Sequence, residues 1–138
     1  MILITGGAGY IGSHTVLNLI EKTDYKIIIF DNLENGHIET INTLLKINSE
    51  YQRRVDAKII FEKGDLRNIE DIENVFNKYS IDGVIHFAAF ALVEESVQNP
   101  SKYYRNNIYD ASGIFSGCAV ISEGNKRNRW SFPFGPLL

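Results

Sequence analysis

The stretch Ile2-Leu3-Ile4-Thr5-Gly6-Gly7-Ala8-Gly9-Tyr10-Ile11-Gly12 decides how this chain is expected to fold. It opens on a short apolar run that a glycine-rich turn stops at once. Beyond the turn, Ile11, Val16, Leu19 and Ile20 recur at helical spacing. A strand, a glycine turn and an amphipathic helix in that order begin a βαβ unit. The turn satisfies G-x-G-x-x-G at Gly7, Gly9 and Gly12, and T-G-x-x-G-x-x-G from Thr5 through Gly6, Gly9 and Gly12. Either pattern alone is weak. Between a strand and a helix it has a physical use, because glycines let the backbone turn tightly and approach a pyrophosphate. The helix N-terminus then supplies amide donors and the positive end of a dipole. The plainer reading is a tight strand-to-helix turn and nothing more.

Working outward, three further apolar runs repeat the pattern. Lys26-Ile27-Ile28-Ile29-Phe30 ends at Asp31-Asn32, Lys58-Ile59-Ile60-Phe61 leads into Gly64-Asp65, and the last is Gly83-Val84-Ile85-His86-Phe87. All are short, rich in isoleucine or valine, and apolar without alternation, as strands buried on both faces of a parallel sheet are. Between them the period turns helical. Asn68 is a candidate cap with Asp71 three places on, and Ile69, Ile72, Val75, Phe76 and Tyr79 then share a face. Ile38, Ile41 and Leu45 form a weaker stripe. The expected fold is therefore α/β, a Rossmann-like doubly wound parallel sheet. An antiparallel α+β domain would need hairpin turn signals that these segments lack.

The character changes after about residue 108. The stretch Glu123-Gly124-Asn125-Lys126-Arg127-Asn128-Arg129 is polar and basic with no apolar face, and Trp130-Ser131-Phe132-Pro133-Phe134-Gly135-Pro136 sets aromatics between breakers. Only Phe115 to Ile121 reads as a further strand. The reading thus expects an incomplete dinucleotide-binding domain over 1–108 and an irregular, divergent tail over 109–138 to which no domain is assigned.

The 138 residues suit one domain, and 44% hydrophobic with 22% charged residues excludes a collagen, a disordered tail or a low-complexity linker. A net charge of -3 offers no general attraction to nucleic acid or to an anionic membrane. The lone cysteine, Cys118, cannot form an internal disulfide, so a reducing cytoplasm is expected. No apolar run approaches the roughly 18 residues of a membrane span, and glycines interrupt the N-terminus before a secretory core develops.

Asp31 closes the second strand, 19 residues after Gly12. A carboxylate there accepts from both adenosine ribose hydroxyls and repels a 2′-phosphate. No Arg or Lys stands between Asn32 and Glu39 to neutralise such a phosphate, which favours NAD over NADP. The alternative for Asp31 is a solvated turn residue. Asp65, in Gly64-Asp65-Leu66-Arg67, stands at the carboxyl edge of the sheet, placed either to accept from an adenine amino group or to start the next helix. Small residues in His86-Phe87-Ala88-Ala89 would let a dinucleotide lie close to the backbone. His14, His37 and His86 have no metal-ligand spacing, so no metal site is assigned.

Taken together, these residues resemble the extended short-chain dehydrogenase/reductases, and most closely the UDP-glucose 4-epimerases. The matching text is Gly6-Gly7-Ala8-Gly9-Tyr10-Ile11-Gly12-Ser13-His14-Thr15, Asp31-Asn32-Leu33, Gly64-Asp65-Leu66-Arg67 and Val84-Ile85-His86-Phe87-Ala88-Ala89. It continues through Val93-Glu94-Glu95-Ser96-Val97 and Tyr103-Tyr104-Arg105-Asn106-Asn107. The resemblance implies NAD as cofactor. It puts Tyr10 and Ile11 beside the pyrophosphate, with Gly6, Gly9 and Gly12 in the turn beneath. Asp31 and Asn32 would hold the ribose, with Leu33, Glu34, Asn35 and Gly36 alongside. Asp65 and Leu66 would flank the adenine. Phe87, Ala88, Ala89, Phe90 and Asn106 would border the inner part of the cofactor. Two positions depart from the commonest pattern: Ala91 stands where many epimerases have a lysine, and Glu94 replaces a frequent glycine.

Members of this family oxidise UDP-galactose or UDP-glucose at C4 and return the hydride to the other face. Proton transfer falls to a tyrosine activated by a lysine four residues later. A phenol of pKa about 10 needs such help near neutral pH. Four places after Tyr10, Tyr25, Tyr51, Tyr79, Tyr103, Tyr104 and Tyr109 stand His14, Ile29, Val55, Gly83, Asn107, Ile108 and Gly113. None is lysine, so no catalytic residue is assigned. The expectation is a truncated, NAD-binding half of an epimerase-like protein, inactive alone and self-associating through an open sheet edge. The alternatives are a non-catalytic NAD-binding or interaction module, or a fragment of a nucleotide-sugar dehydratase or decarboxylase. Ser112 and Gly113 are expected to weaken the helix that the family continues after Asn107.

Overall fold

The apolar runs form four parallel strands, β1 (Ile2–Thr5), β2 (Ile27–Asp31), β3 (Ile59–Lys63) and β4 (Gly83–His86), in the sheet order β3-β2-β1-β4. The computed structural model describes residues 1–50 and 59–114. Register pairs Leu3 with Ile28 on one side and Val84 on the other. The chain steps outward from β1 to β3 and then crosses back to lay β4 against β1. That reversal makes the crevice at the strands' carboxyl ends a natural ligand position.

Successive strand residues point to opposite faces, so each face has its own core. On one, Ile4, Ile27, Ile29 and Ile59 meet Val16 and Ile20 of α1 (Tyr10–Lys22) and Ile41 and Leu44 of α2 (Ile38–Glu50). On the other, Leu3, Ile28 and Phe30 meet Ile72 and Val75 of α3 (Ile69–Lys78), with Ile81 and Ile114. This is the doubly wound arrangement. Every residue of β2 is buried, and each large apolar side chain so removed from water stabilises the fold by about 1.5–3 kcal/mol.

Asn68 caps α3 as its position predicts, accepting from Glu70 N at 3.1 Å. On α2 the buried stripe is Ile41 and Leu44, whereas Ile38 and Leu45 are exposed. A period of 3.6 fits either residue at that turn, and the contact with α1 selects Leu44. Ile11 and Ile69 lie in the first turns of their helices and point to solvent.

After β4 come α4 (Val93–Gln98), α5 (Pro100–Tyr104) and a π-helical segment (Arg105–Asp110). Helical structure does not stop there. Residues 112–114 make another turn, and Ala111 and Ile114 are both 2% exposed. Ser112 and Gly113, which are expected to weaken the helix, lie within this turn. A Cβ on Gly113 would lie 2.7 Å from Ile72 Cδ1, so the residue allows close packing on α3, and that packing overrides its low helix propensity. The strand expected over Phe115 to Ile121, and the rest of the tail, lie outside the described residues. No helix among the described residues is long and apolar enough to cross a membrane.

Candidate functional site

A cleft opens at the carboxyl ends of β1, β2 and β4. Gly6 and Gly9 form its floor, Asp31, Asn32, Glu34, Asn35 and Gly36 one wall, and Asp65 and Leu66 the far end. Phe87, Ala88, Ala89, Phe90 and Asn106 form the opposite wall. Tyr10, Ile11, Gly12 and Leu33 do not line it, although the resemblance groups them with these residues. Tyr10 and Ile11 are 81% and 64% exposed. The Tyr10 ring instead packs against His14 over a second groove, between α1 and α2.

The glycine turn has the shape a phosphate-binding loop requires. Gly6 has φ +69°, and a Cβ there would lie 2.5 Å from Ala88 N. Gly12 lies inside the first turn of α1, where a Cβ would fall 2.2 Å from Gly6 O. These contacts bring the helix N-terminus down onto the strand end. Gly9, the N-cap, has no side chain to satisfy the first-turn amides, and that turn carries no acidic residue. Uncapped amides and an unneutralised dipole beside the cleft fit an anionic group.

Asp31 is 8% exposed, and its carboxylate is held by two backbone donors, Ala8 N at 2.9 Å and Leu33 N at 2.8 Å. Each oxygen retains a lone pair for a further donor such as a ribose hydroxyl. Leu33 reaches this position with φ +64°, a left-handed conformation costly for a residue with a Cβ. That strain, which no sequence pattern announces, bends the chain around Asp31.

Asp65 is tied into a tighter network than its motif suggests. One oxygen accepts from Arg67 N and Arg67 Nε, each at 2.9 Å, and the other from Arg67 Nη2 and from Asn32 Nδ2 at 3.0 Å. The Arg67 guanidinium is the main cause that pushes the Asp65 pKa down to about 2, against the opposing effect of burial. Arg67 in turn is raised, chiefly by Asp65. Asp65 also begins the helical side, since its N–H donates to Asp71 Oδ2 at 2.9 Å. Asp65 thus lines the cleft and also anchors the start of α3.

On the opposite wall, Phe90 is gripped from both directions by Asn107. Its N–H donates to Asn107 Oδ1 at 2.8 Å, and its carbonyl accepts from Asn107 Nδ2 at 2.9 Å. Asn106 donates to the same Oδ1 at 2.9 Å. Nothing in the sequence marks Asn107 beyond its place in Tyr103-Tyr104-Arg105-Asn106-Asn107. Phe30 and Gly64 also line the cleft without having been anticipated, because a strand's last apolar residue reads as core. At the carboxyl ends of β1 and β4, Thr5 Oγ1 and His86 Nδ1 are joined at 2.6 Å, and burial pushes the His86 pKa down. His14 and His37 are exposed.

A parallel sheet with a glycine turn, an uncapped helix and a strand-end carboxylate around one crevice defines a dinucleotide-binding domain of the Rossmann type. The family model described as GDP-mannose 4,6 dehydratase matches residues 3–127, and the chain belongs to that family. Its relatives include UDP-glucose 4-epimerases, as the sequence resemblance implies. One from Cyamopsis tetragonoloba is 43% identical over 124 residues, 90% of this chain and 33% of that protein. The UDP-Glc/GlcNAc 4-epimerase of Campylobacter jejuni superposes with a TM-score of 0.77 at 36% identity, over 88% of this chain and 34% of that one. The Bifidobacterium longum UDP-glucose 4-epimerase, solved with NAD+ and UDP, gives 0.77 at 33% identity, over 88% and 34%. The chain thus spans about a third of the length of the relatives it matches.

Proposed function

We propose that this chain is the NAD-binding part of a UDP-glucose 4-epimerase. The observation that carries the reading is the cleft itself, where the bare N-terminus of α1 and the Asp31 carboxylate face one crevice. Gly6 and Gly9 would underlie the pyrophosphate, with the first-turn amides of Tyr10 and Ile11 directed at it. Asp31 would accept from the ribose hydroxyls, and Leu66 would lie against the adenine. Phe87 to Phe90, steadied by Asn107, would border the nicotinamide half. Bound NAD would take a hydride from the sugar at C4 and return it to the other face.

The proton-transfer pair of that reaction is not among the tyrosines of this chain, none of which has a lysine four places on. The 138 residues therefore bind cofactor and, on this reading, do not interconvert UDP-galactose and UDP-glucose by themselves. The mild negative charge supports a protein without nucleic-acid or anionic-membrane partners, and the lone cysteine, Cys118, supports a reducing cytoplasm. Among the described residues β4 pairs with β1 alone, which supports self-association through its other side.

Calorimetric titration of the purified chain with NAD, beside a coupled assay with UDP-galactose, tests the reading. Weak saturable binding without turnover is expected. Turnover by the pure chain would overturn the division of labour, and absence of any NAD binding would overturn the site.

A further inference from the structure

The adenosine end of the cleft holds an arrangement that the glycine turn and Asp31 do not account for. Glu34 lines the cleft, and its Oε2 accepts from Arg67 Nη2 at 2.7 Å. The same guanidinium is held by Asp65, which also lines the cleft. Asn32 closes the ring, donating to Asp65 at 3.0 Å and to Glu34 Oε2 at 3.4 Å, while its Oδ1 accepts from Glu34 N at 2.9 Å. Arg67 thus stands behind two carboxylates, one shift of a flexible side chain from the turn that follows Asp31.

A guanidinium beside the strand-end turn is the group that accommodates an adenosine 2′-phosphate in dinucleotide sites, because its planar fork matches phosphate oxygens. The sequence alone showed no cation between Asn32 and Glu39. The fold supplies one from the next crossover, held by Glu34 as well as by Asp65. We propose that Glu34 is a second determinant of cofactor choice, excluding a 2′-phosphate by holding Arg67 in an ion pair. The proposal rests on the NAD reading above and adds to it how the site would tell NAD from NADP.

Glu34 and Arg67 are both well exposed, with side chains 38% and 43% accessible, so substituting them leaves the core intact. The test titrates the full chain with adenosine 5′-monophosphate and adenosine 2′,5′-bisphosphate, and with NAD and NADP, for wild type, Glu34→Gln and Glu34→Gln/Arg67→Gln. Glu34→Gln is expected to raise affinity for the 2′-phosphorylated partner of each pair about tenfold relative to the other. The ratio shifts without inverting, because Asp31 keeps its charge. Removing Arg67 as well is expected to erase the gain, and added salt to shrink it. A ratio unchanged in Glu34→Gln overturns the proposal. So does a gain that survives in the double variant, since Glu34 would then act by charge alone. A wild-type chain that binds none of the four ligands overturns the NAD reading itself, a result distinct from binding with an unmoved ratio.

Discussion

Strands β2 and β4 flank the same central strand, yet they live in different surroundings. All five residues of β2 are buried, while all four of β4 are half-buried. β2 has strand partners on both sides and helices over both faces. Among the described residues β4 has β1 as its one strand partner, and Leu92, Val93 and Val97 just beyond it are exposed. The Asp31 side of the cleft therefore stands on a strand buried throughout, and the Phe87–Phe90 wall follows a half-buried one. A site resting on both inherits a rigid end and a compliant one.

The largest effect should come from the point where the two halves meet. Gly12→Ala would drive a Cβ into Gly6 O and Gly7 Cα, neither of which can move without lifting α1 from the sheet. A loss of about 3 kcal/mol or more is expected, visible as a large drop in the urea midpoint. Near-normal stability would mean that the turn is softer than its geometry implies.

The comparison itself is tested by truncating one residue on each strand. Ile29→Ala, fully buried in β2, is expected to cost about 2–5 kcal/mol, and Ile85→Ala, half-buried in β4, about 1 kcal/mol. Equal costs from denaturant unfolding would show that β4 is covered in solution as thoroughly as β2. Sedimentation of the wild-type chain bears on the same point, since a monodisperse monomer would argue against self-association through that edge.

A smaller effect is expected at Asp31. Replacement by Asn keeps an acceptor but removes the charge and one pairing with Ala8 N or Leu33 N, costing about 1–2 kcal/mol of stability. NAD affinity should fall by about tenfold, read by titration calorimetry.

The smallest effect is set by pH. Asp65 has its pKa lowered by Arg67, so its contribution is complete above the ordinary carboxylate range and is lost as pH falls from there to about 2. Because the pair is partly solvated, the change is expected to stay under about 1 kcal/mol. Asp65→Asn should flatten the acid limb of a stability profile, and an unchanged limb would assign the titration to other groups.

Much of the site was legible because its chemistry is local. Apolar runs broken by Gly, Asp or Asn mark the strand ends, and at strand ends a doubly wound sheet binds ligands, so Gly6, Asp31, Asp65 and Phe87 could be placed together unseen. Backbone strain at Leu33 was not legible, since leucine gives no sign of a positive φ. Nor was the grip of Asn107 on Phe90, which joins residues 17 apart in sequence. The helical turn over 112–114 ran against local propensity and was settled by contact with Ile72.

By itself the sequence determined the four strands of the described residues, their parallel direction in a doubly wound sheet and the glycine turn, since each follows from the spacing of neighbouring residues. Only the tertiary structure decided which apolar stripe faced inward, how far helical packing ran past Ile108, and that Arg67 would meet Glu34. Those outcomes depend on elements brought together across the sheet, where packing and charge act between residues that no local pattern connects.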